Sequence, residues 1–271
     1  MAMTINTNIS SLNAQRNLST SQSSLATSMQ RLSSGLRLNS AKDDAAGLAI
    51  SERMNTQVRG MNVAVRNAND GISLSQTAEG AMGKVSDSLQ RMRELAIQAR
   101  NASNSDQDKD SLDKEFGELA KEIQRVLGGT SFNGKHMLGV DAGTQTFQVG
   151  ANTTTDDTID ITTTNMTAAP QITPVAGTDN TGASRARIDS TADAAAIGTV
   201  ITDIDAALDK INSERATLGA AQSRFDAVIS NLQVAAETAN LSRSQILQQA
   251  GTAMVAQANQ LPQQVLQLLR G

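Results

Sequence analysis

The stretch AEGAMGKVSDSLQRMRELAIQA, residues 78–99, places apolar side chains at Ala78, Met82, Val85, Leu89, Met92, Ala96 and Ala99. The steps alternate four and three, which keeps one narrow seam of a helix turned toward a partner, as in coiled coils. A second seam runs through Leu112, Phe116, Leu119, Ile123 and Val126. A third begins at Ile197, Ile201, Ile204, Leu208 and Ile211 and continues through Leu218, Phe225, Ile229, Leu232 and Ala236, with Arg215 and Gln222 set into it. Polar residues at seam positions fix register more readily than they perform chemistry. Three such seams predict a mainly α fold, a long antiparallel coiled-coil-like helical bundle.

Working outward, a further helix is expected from Ala41 to about Asn69, with Ile50, Met54, Met61, Val65 and Ala68 inward. Ser40 followed by Asp43 reads as a capping box, and Asp43 and Asp44 suit the first turn, so the two aspartates are caps rather than a catalytic dyad. If that helix continues to about Arg100, it spans on the order of 90 Å, a rod rather than a globule. Both ends of the chain are amphipathic, through Leu18, Leu25, Met29, Leu32 and Leu36 at one end and Leu247, Met254, Leu261, Val265 and Leu268 at the other. Such uncharged, narrow seams are marginal alone and read as helices that fold against a protein partner rather than a membrane surface. Pro262 is expected to kink or restart the last helix.

Between the helical halves, residues 141–183 turn rich in Thr, Asp, Gly and Asn and hold Pro170 and Pro174. Phe147 and Val149, then Ile159 and Ile161, alternate with polar neighbours, which predicts one β-hairpin followed by a loop. Helical periodicity resumes near Asp193, so the chain folds back with paired N- and C-terminal helices. The expected domains are 1–39 with 241–271, the terminal helices; 40–140 with 188–240, the bundle; and 141–187, a short β-hairpin and loop segment.

Composition narrows the chemistry. The 271 residues include no Cys, one His, no Trp, no Tyr and four Phe. Disulfides, thiolate nucleophiles and His-pair metal sites are thereby excluded. A net charge of -4 gives no basic field for nucleic acid. No run reaches the roughly 18 apolar residues of a membrane span, and the first residues do not resemble a signal peptide. From composition alone the expectation is a soluble, intracellular helical protein. The glycine-rich stretch 128–134 lacks the ending of a phosphate loop and reads as a turn, His136 as a surface residue, and Glu118 and Glu122 as a solvated face. No catalytic constellation and no cofactor motif stands out, so the protein is expected not to be an enzyme.

Several strings are recognisable. Ile-Asn-Thr-Asn at 5–8, Arg-Leu-Ser-Ser-Gly-Leu-Arg-Leu-Asn-Ser-Ala-Lys-Asp-Asp-Ala-Ala-Gly at 31–47, and Arg-Asn-Ala-Asn-Asp-Gly-Ile-Ser at 66–73 resemble bacterial flagellin. So do Leu-Gln-Arg-Met-Arg-Glu-Leu-Ala at 89–96, Ser-Phe-Asn-Gly at 131–134 and Leu-Ser-Arg-Ser-Gln-Ile-Leu-Gln-Gln-Ala-Gly-Thr at 241–252. The resemblance covers residues 1 to about 140 and 195–271. It implies a structural subunit that polymerises with copies of itself into the flagellar filament, its terminal helices forming an inner domain. It further implies export without a cleaved signal peptide through the type III apparatus to an extracellular filament. An export chaperone and the filament cap and hook-associated proteins are the other implied partners, with no nucleic acid and no membrane among them. The assembly seam is then Leu18, Leu25, Met29, Leu32, Leu36, Leu247, Met254, Leu261, Val265 and Leu268. By position in the Leu-Gln-Arg-x-Arg-Glu-Leu string and the next helix, Gln90, Arg91, Leu95 and Glu115 match the family's surface for the host Toll-like flagellin receptor.

Two departures stand out. The central region is short, which implies a form without outer domains. A stretch of about five helical turns, usual in the family, is absent between Glu237 and Thr238, although the seam phase continues through Asn240 and Arg243 to Leu247 and permits one unbroken helix. The neighbouring readings are a hook–filament junction protein and, from another class, a cytoplasmic signalling coiled coil.

Overall fold

A computed structural model of the chain describes residues 9–34 and 45–270, with side chains placed over most of 9–30 and 47–252. It contains α1 (Ile9–Ser34), α2 (Ala45–Ala99), α3 (Asp106–Gly129), β1 (Ser131–Phe132), β2 (Lys135–His136), β3 (Thr144–Gln148), β4 (Thr158–Thr162), α4 (Thr173–Ala176) and α5 (Ala194–Arg270). The fold is mainly helical with two small antiparallel sheets, as the seams and the alternating segment imply. The expected cap at Ser40 and Asp43 lies outside the described residues. α5 is one helix of 77 residues that runs through Glu237 and Thr238 without a break. Of the kink or restart expected at Pro262, a restart does not occur, since α5 continues through that residue. A proline removes one backbone donor, and a helix can continue past that single lost hydrogen bond.

The chain divides into two compact units, Gly60–Gln233 and Met1–Arg59 with Val234–Gly271. In the first, every residue of the 78–99 seam is buried, as are Phe116, Ile123, Ile197, Ile204, Ile211, Leu218 and Phe225 from the other two. α2 and α5 run antiparallel: Arg93 meets Asp205, Glu79 meets Gln222, and Gly71 meets Phe225. The polar residues in the third seam share one partner, since Gln222 donates to Glu79 at 3.0 Å and the Arg215 guanidinium lies 3.8 Å from the same carboxylate. This is a register device, because a slip of the helices separates Glu79 from both. At Gly71 the helices approach so closely that a β-carbon would lie 2.7 Å from the Phe225 ring.

α3 starts from a capping box in which Ser105 Oγ accepts from Asp108 N while the Asp108 carboxylate accepts from Ser105 N at 3.0 Å. The Ser105 hydroxyl, which also donates to the Asp108 carboxylate at 2.7 Å, and then the Ser105 N–H hold that carboxyl below the usual carboxylate range. Ser105→Ala removes one half of this exchange and is expected to lower stability by about 0.5–2 kcal/mol in chemical denaturation.

The predicted hairpin is β3–β4, with Phe147 opposite Ile159 and Gln145 opposite Ile161. Ile159 and Ile161 are buried, and the Phe147 ring meets Phe225 edge-on at 5.6 Å between centroids. The stretch read as one turn at 128–134 is instead the end of α3 followed by a two-residue hairpin, β1–β2. Asn133 and Gly134, at φ 49° and 79°, supply the left-handed pair that such a turn requires. The loop expected after β4 is a strap that contributes Met166, Ile172, Val175, Ala176 and Ile188 to the core.

In the second unit the described apolar side chains of α1 are open to solvent. Ile50, expected inward, is exposed as well.

Candidate functional site

Two surfaces emerge from the sequence expectations. On the first, Arg91 on α2 projects beside α3. Its Nε donates to Glu115 Oε1 at 2.9 Å, and its Nη1 donates to Glu94 Oε2 at 2.9 Å. The Glu115 carboxylate, then that of Glu94, holds the guanidinium more firmly in its charged form. All three side chains remain about half or more exposed, which leaves the charged fork available to an incoming partner. Gln90 is exposed next to them, with its amide toward Ser86 at 3.4 Å.

Leu95 is placed differently from the surface position its grouping with Arg91 implies. It is 1% exposed and belongs to the helical core. The cause is angular: Leu95 lies three residues after Met92 and one before Ala96, both fully buried, so it widens that seam inward. The structure thus brings Arg91, Glu94 and Glu115 together at the surface, leaves Gln90 exposed with its amide toward Ser86, and buries Leu95 in the core.

The second surface is the terminal seam. Leu18, Leu25 and Met29 on α1 are 60%, 54% and 62% exposed. Leu36 lies outside the described residues, and so do the side chains of Leu32, Leu247, Met254, Leu261, Val265 and Leu268, although their backbones are helical.

The expectation for Glu118 and Glu122 holds in detail, since they pair locally with Lys121 and Arg125. His136 is half-buried rather than on the surface, because its strand pairs with β1 and its own N–H donates to Asp141. Among the described residues no group of three or more His, Asp or Glu side chains converges as a metal site, and no helix is long and apolar enough to cross a membrane. A shallow groove of about 360 Å³ between α3 and the strap is lined by Gln124, Arg125, Thr167, Asp179 and Asn180 and has no nucleophile–base pair.

Sequence reading missed a clasp between α3 and the strap. The Asp113 carboxylate accepts from both Arg185 Nη atoms, at 2.9 and 2.6 Å, and from Ile188 N at 2.9 Å. Its two charged side chains are only 10% and 12% exposed. The guanidinium also lies 5.9 Å from the Phe116 centroid, and its path over α3 requires Gly117, where a β-carbon would lie 2.8 Å from Arg185 Nε.

The chain is similar to known proteins along most of its length. Residues 5–146 match the family model for the bacterial flagellin N-terminal helical region, and residues 232–269 match that for the C-terminal helical region. A flagellin of Halalkalibacterium halodurans is 42% identical over 285 aligned positions, covering 99% of this chain and 100% of that protein. The crystal structure of Bacillus cereus flagellin superposes with a TM-score of 0.50 at 33% identity, covering 62% of this chain and 88% of that one. A putative flagellar hook-associated protein of Vibrio parahaemolyticus reaches the same TM-score at 15% identity over 79% of this chain and all of that one, a likeness of fold alone. With both family regions present and a relative matched end to end, the chain belongs to the bacterial flagellin family.

Proposed function

We propose that this structural subunit of the flagellar filament assembles through its terminal helices and that its free monomer is recognised by the host Toll-like flagellin receptor. Membership of the flagellin family carries the filament role and self-assembly. The observation that supports the route is the open seam of Leu18, Leu25 and Met29. Seven-residue spacing from Leu18 to Leu25 suits packing against another helix, and a subunit added head to tail repeats one heterologous contact without closure. Residues 1–39 and 241–271 form the inner domain in this reading, 40–140 with 188–240 the bundle, and 141–187 a short variable segment. The chain acts as a structural element and catalyses no reaction.

Export proceeds unfolded through the type III apparatus, without a cleaved signal peptide. A chaperone covers the last helix beforehand, and the cap and hook-associated proteins meet the subunit at the filament ends. The test is seeded polymerisation followed by electron microscopy. The full chain is expected to extend seeds into tubes, and a chain lacking residues 241–271 to remain monomeric with its helical bundle intact. Discrete oligomers from the full chain would overturn the assembly reading and favour a signalling coiled coil.

For the receptor, Arg91, Glu115 and Gln90 form the contact surface, and Leu95 supports α2 from below. Arg91→Ala is expected to weaken signalling by monomer in a reporter cell line while leaving circular dichroism unchanged. Unaltered signalling would exclude this patch.

A further inference from the structure

The sequence contains a single Asn-Gly step, Asn133–Gly134, and the fold places it at the tip of the β1–β2 hairpin. We propose that Asn133 is a site of spontaneous deamidation whose reaction is blocked by the turn, so that conversion there registers the time the chain has spent unfolded.

The chemistry needs only water. The backbone nitrogen of Gly134 attacks the Asn133 side-chain Cγ, and a nitrogen–carbon bond closes a five-membered imide. The Cγ–amide bond breaks, and the amide group leaves as ammonia with the proton taken from the Gly134 nitrogen. Water then opens the imide at one of its two carbonyls. One opening gives aspartate; the other gives isoaspartate, whose main chain runs through Cβ and is one atom longer. Glycine after the asparagine speeds the first step because no side chain hinders the attacking nitrogen, and a β-carbon at Gly134 would meet nothing within 4 Å.

The folded turn opposes that step by geometry. Asn133 is the one non-glycine residue with positive φ among the described residues, at 49°, and Gly134 follows at 79°. This is the two-residue turn with both centres left-handed, in which the first has ψ of roughly +30°. At that angle the Gly134 nitrogen lies nearly anti to the Asn133 Cβ across the Cα–C bond, so it is held away from Cγ. Reaching the cyclising geometry requires a rotation about that bond, which the flanking pairs Phe132↔Lys135 and Ser131↔His136 resist. Solvent access does not protect the site, because Asn133 and Gly134 are both exposed. Conformation alone does.

The two products differ in consequence. A carboxylate in place of the amide is tolerated, since aspartate also accepts the left-handed conformation. Isoaspartate lengthens a turn that has room for two residues, shifts Phe132 out of register with Lys135, and draws the half-buried Phe132 ring from the core against which it packs.

The test holds the full chain in mildly alkaline buffer, folded in one arm and unfolded in guanidinium chloride in the other, with peptide mapping by mass spectrometry. In denaturant, the peptide containing Asn133 is expected to gain one dalton ahead of every other asparagine peptide, with isoaspartate the larger product. In the folded arm the same peptide stays unchanged over that period. Equal conversion in the two arms would overturn the protection, and slower conversion than other asparagines in denaturant would overturn the site. An Asn133→Asp variant separates charge from chain length. It is expected to keep the parent's circular dichroism and unfolding midpoint, whereas loss of either would refute the assignment of damage to the added backbone atom.

Discussion

Asp113→Ala is expected to lower the stability of the folded chain by about 3–5 kcal/mol, read from guanidinium denaturation followed by far-ultraviolet circular dichroism. The size follows from what remains behind. Arg185 stays charged under all folded conditions, and its guanidinium sits over Phe116 and Gly117 with little access to water. Without the carboxylate it keeps only backbone acceptors such as Ala186 O, while Ile188 N loses its partner. An unpaired buried cation costs far more than a buried pair contributes. Replacing both members, as Asp113→Leu with Arg185→Met, is therefore expected to cost less than Asp113→Ala alone. A loss below about 1 kcal/mol for the single change would mean that Arg185 swings out to solvent, where an ion pair is worth little.

Phe225→Ala is expected to have an effect of similar size, about 3–5 kcal/mol, for a different reason. Phe225 is fully buried where its ring faces Gly71 of α2 and meets Phe147 of β3. Truncation leaves a cavity that the helices close poorly, because their spacing is held nearby by Glu79 with Gln222 and by the seam from Ala78 onward. It also removes the edge-on contact with Phe147, which holds the hairpin together with the hydrogen bond from Asn67 Nδ2 to Gln148 O. The complementary change, Gly71→Ala, would favour an isolated helix by about 1 kcal/mol. Here its sign is expected to reverse, since the new methyl meets the Phe225 ring. Denaturation midpoints of the two variants check both statements.

The seams were legible because burial on long helices repeats. Ala78 to Ala99 reads inward at every predicted position, and Arg215 and Gln222, the breaks in the third seam, turn out to share Glu79. The β3–β4 hairpin was legible from alternation, through Ile159 and Ile161. The strap was not. Met166, Ile172 and Ile188 reach the core from non-repetitive backbone and Val175 from the single turn of α4, at irregular intervals, so no period announces them. Nor does Asp113 advertise itself, since it sits among Asp106, Asp108, Asp110 and Lys114 on a charged helix, and its partner lies 72 positions away. Leu95 shows the reverse difficulty. A string shared with relatives groups it with Arg91, one turn earlier on nearly the same face of α2, yet Leu95 is buried in the seam while the Arg91 side chain stays about half exposed.

The meeting of Phe147 and Phe225 also has an optical consequence. With no tryptophan or tyrosine and only four phenylalanines, near-ultraviolet absorption and dichroism of this chain arise from phenyl rings alone. This pair stacks edge to face across the hairpin and the helices, so its rings are coupled in a fixed chiral arrangement. The vibronic fine structure of the phenylalanine band therefore reports the docking of the hairpin on the helices without any label, while the far-ultraviolet signal reports the helices themselves. A variant that undocks the hairpin but keeps the bundle would dim the first signal and leave the second unchanged.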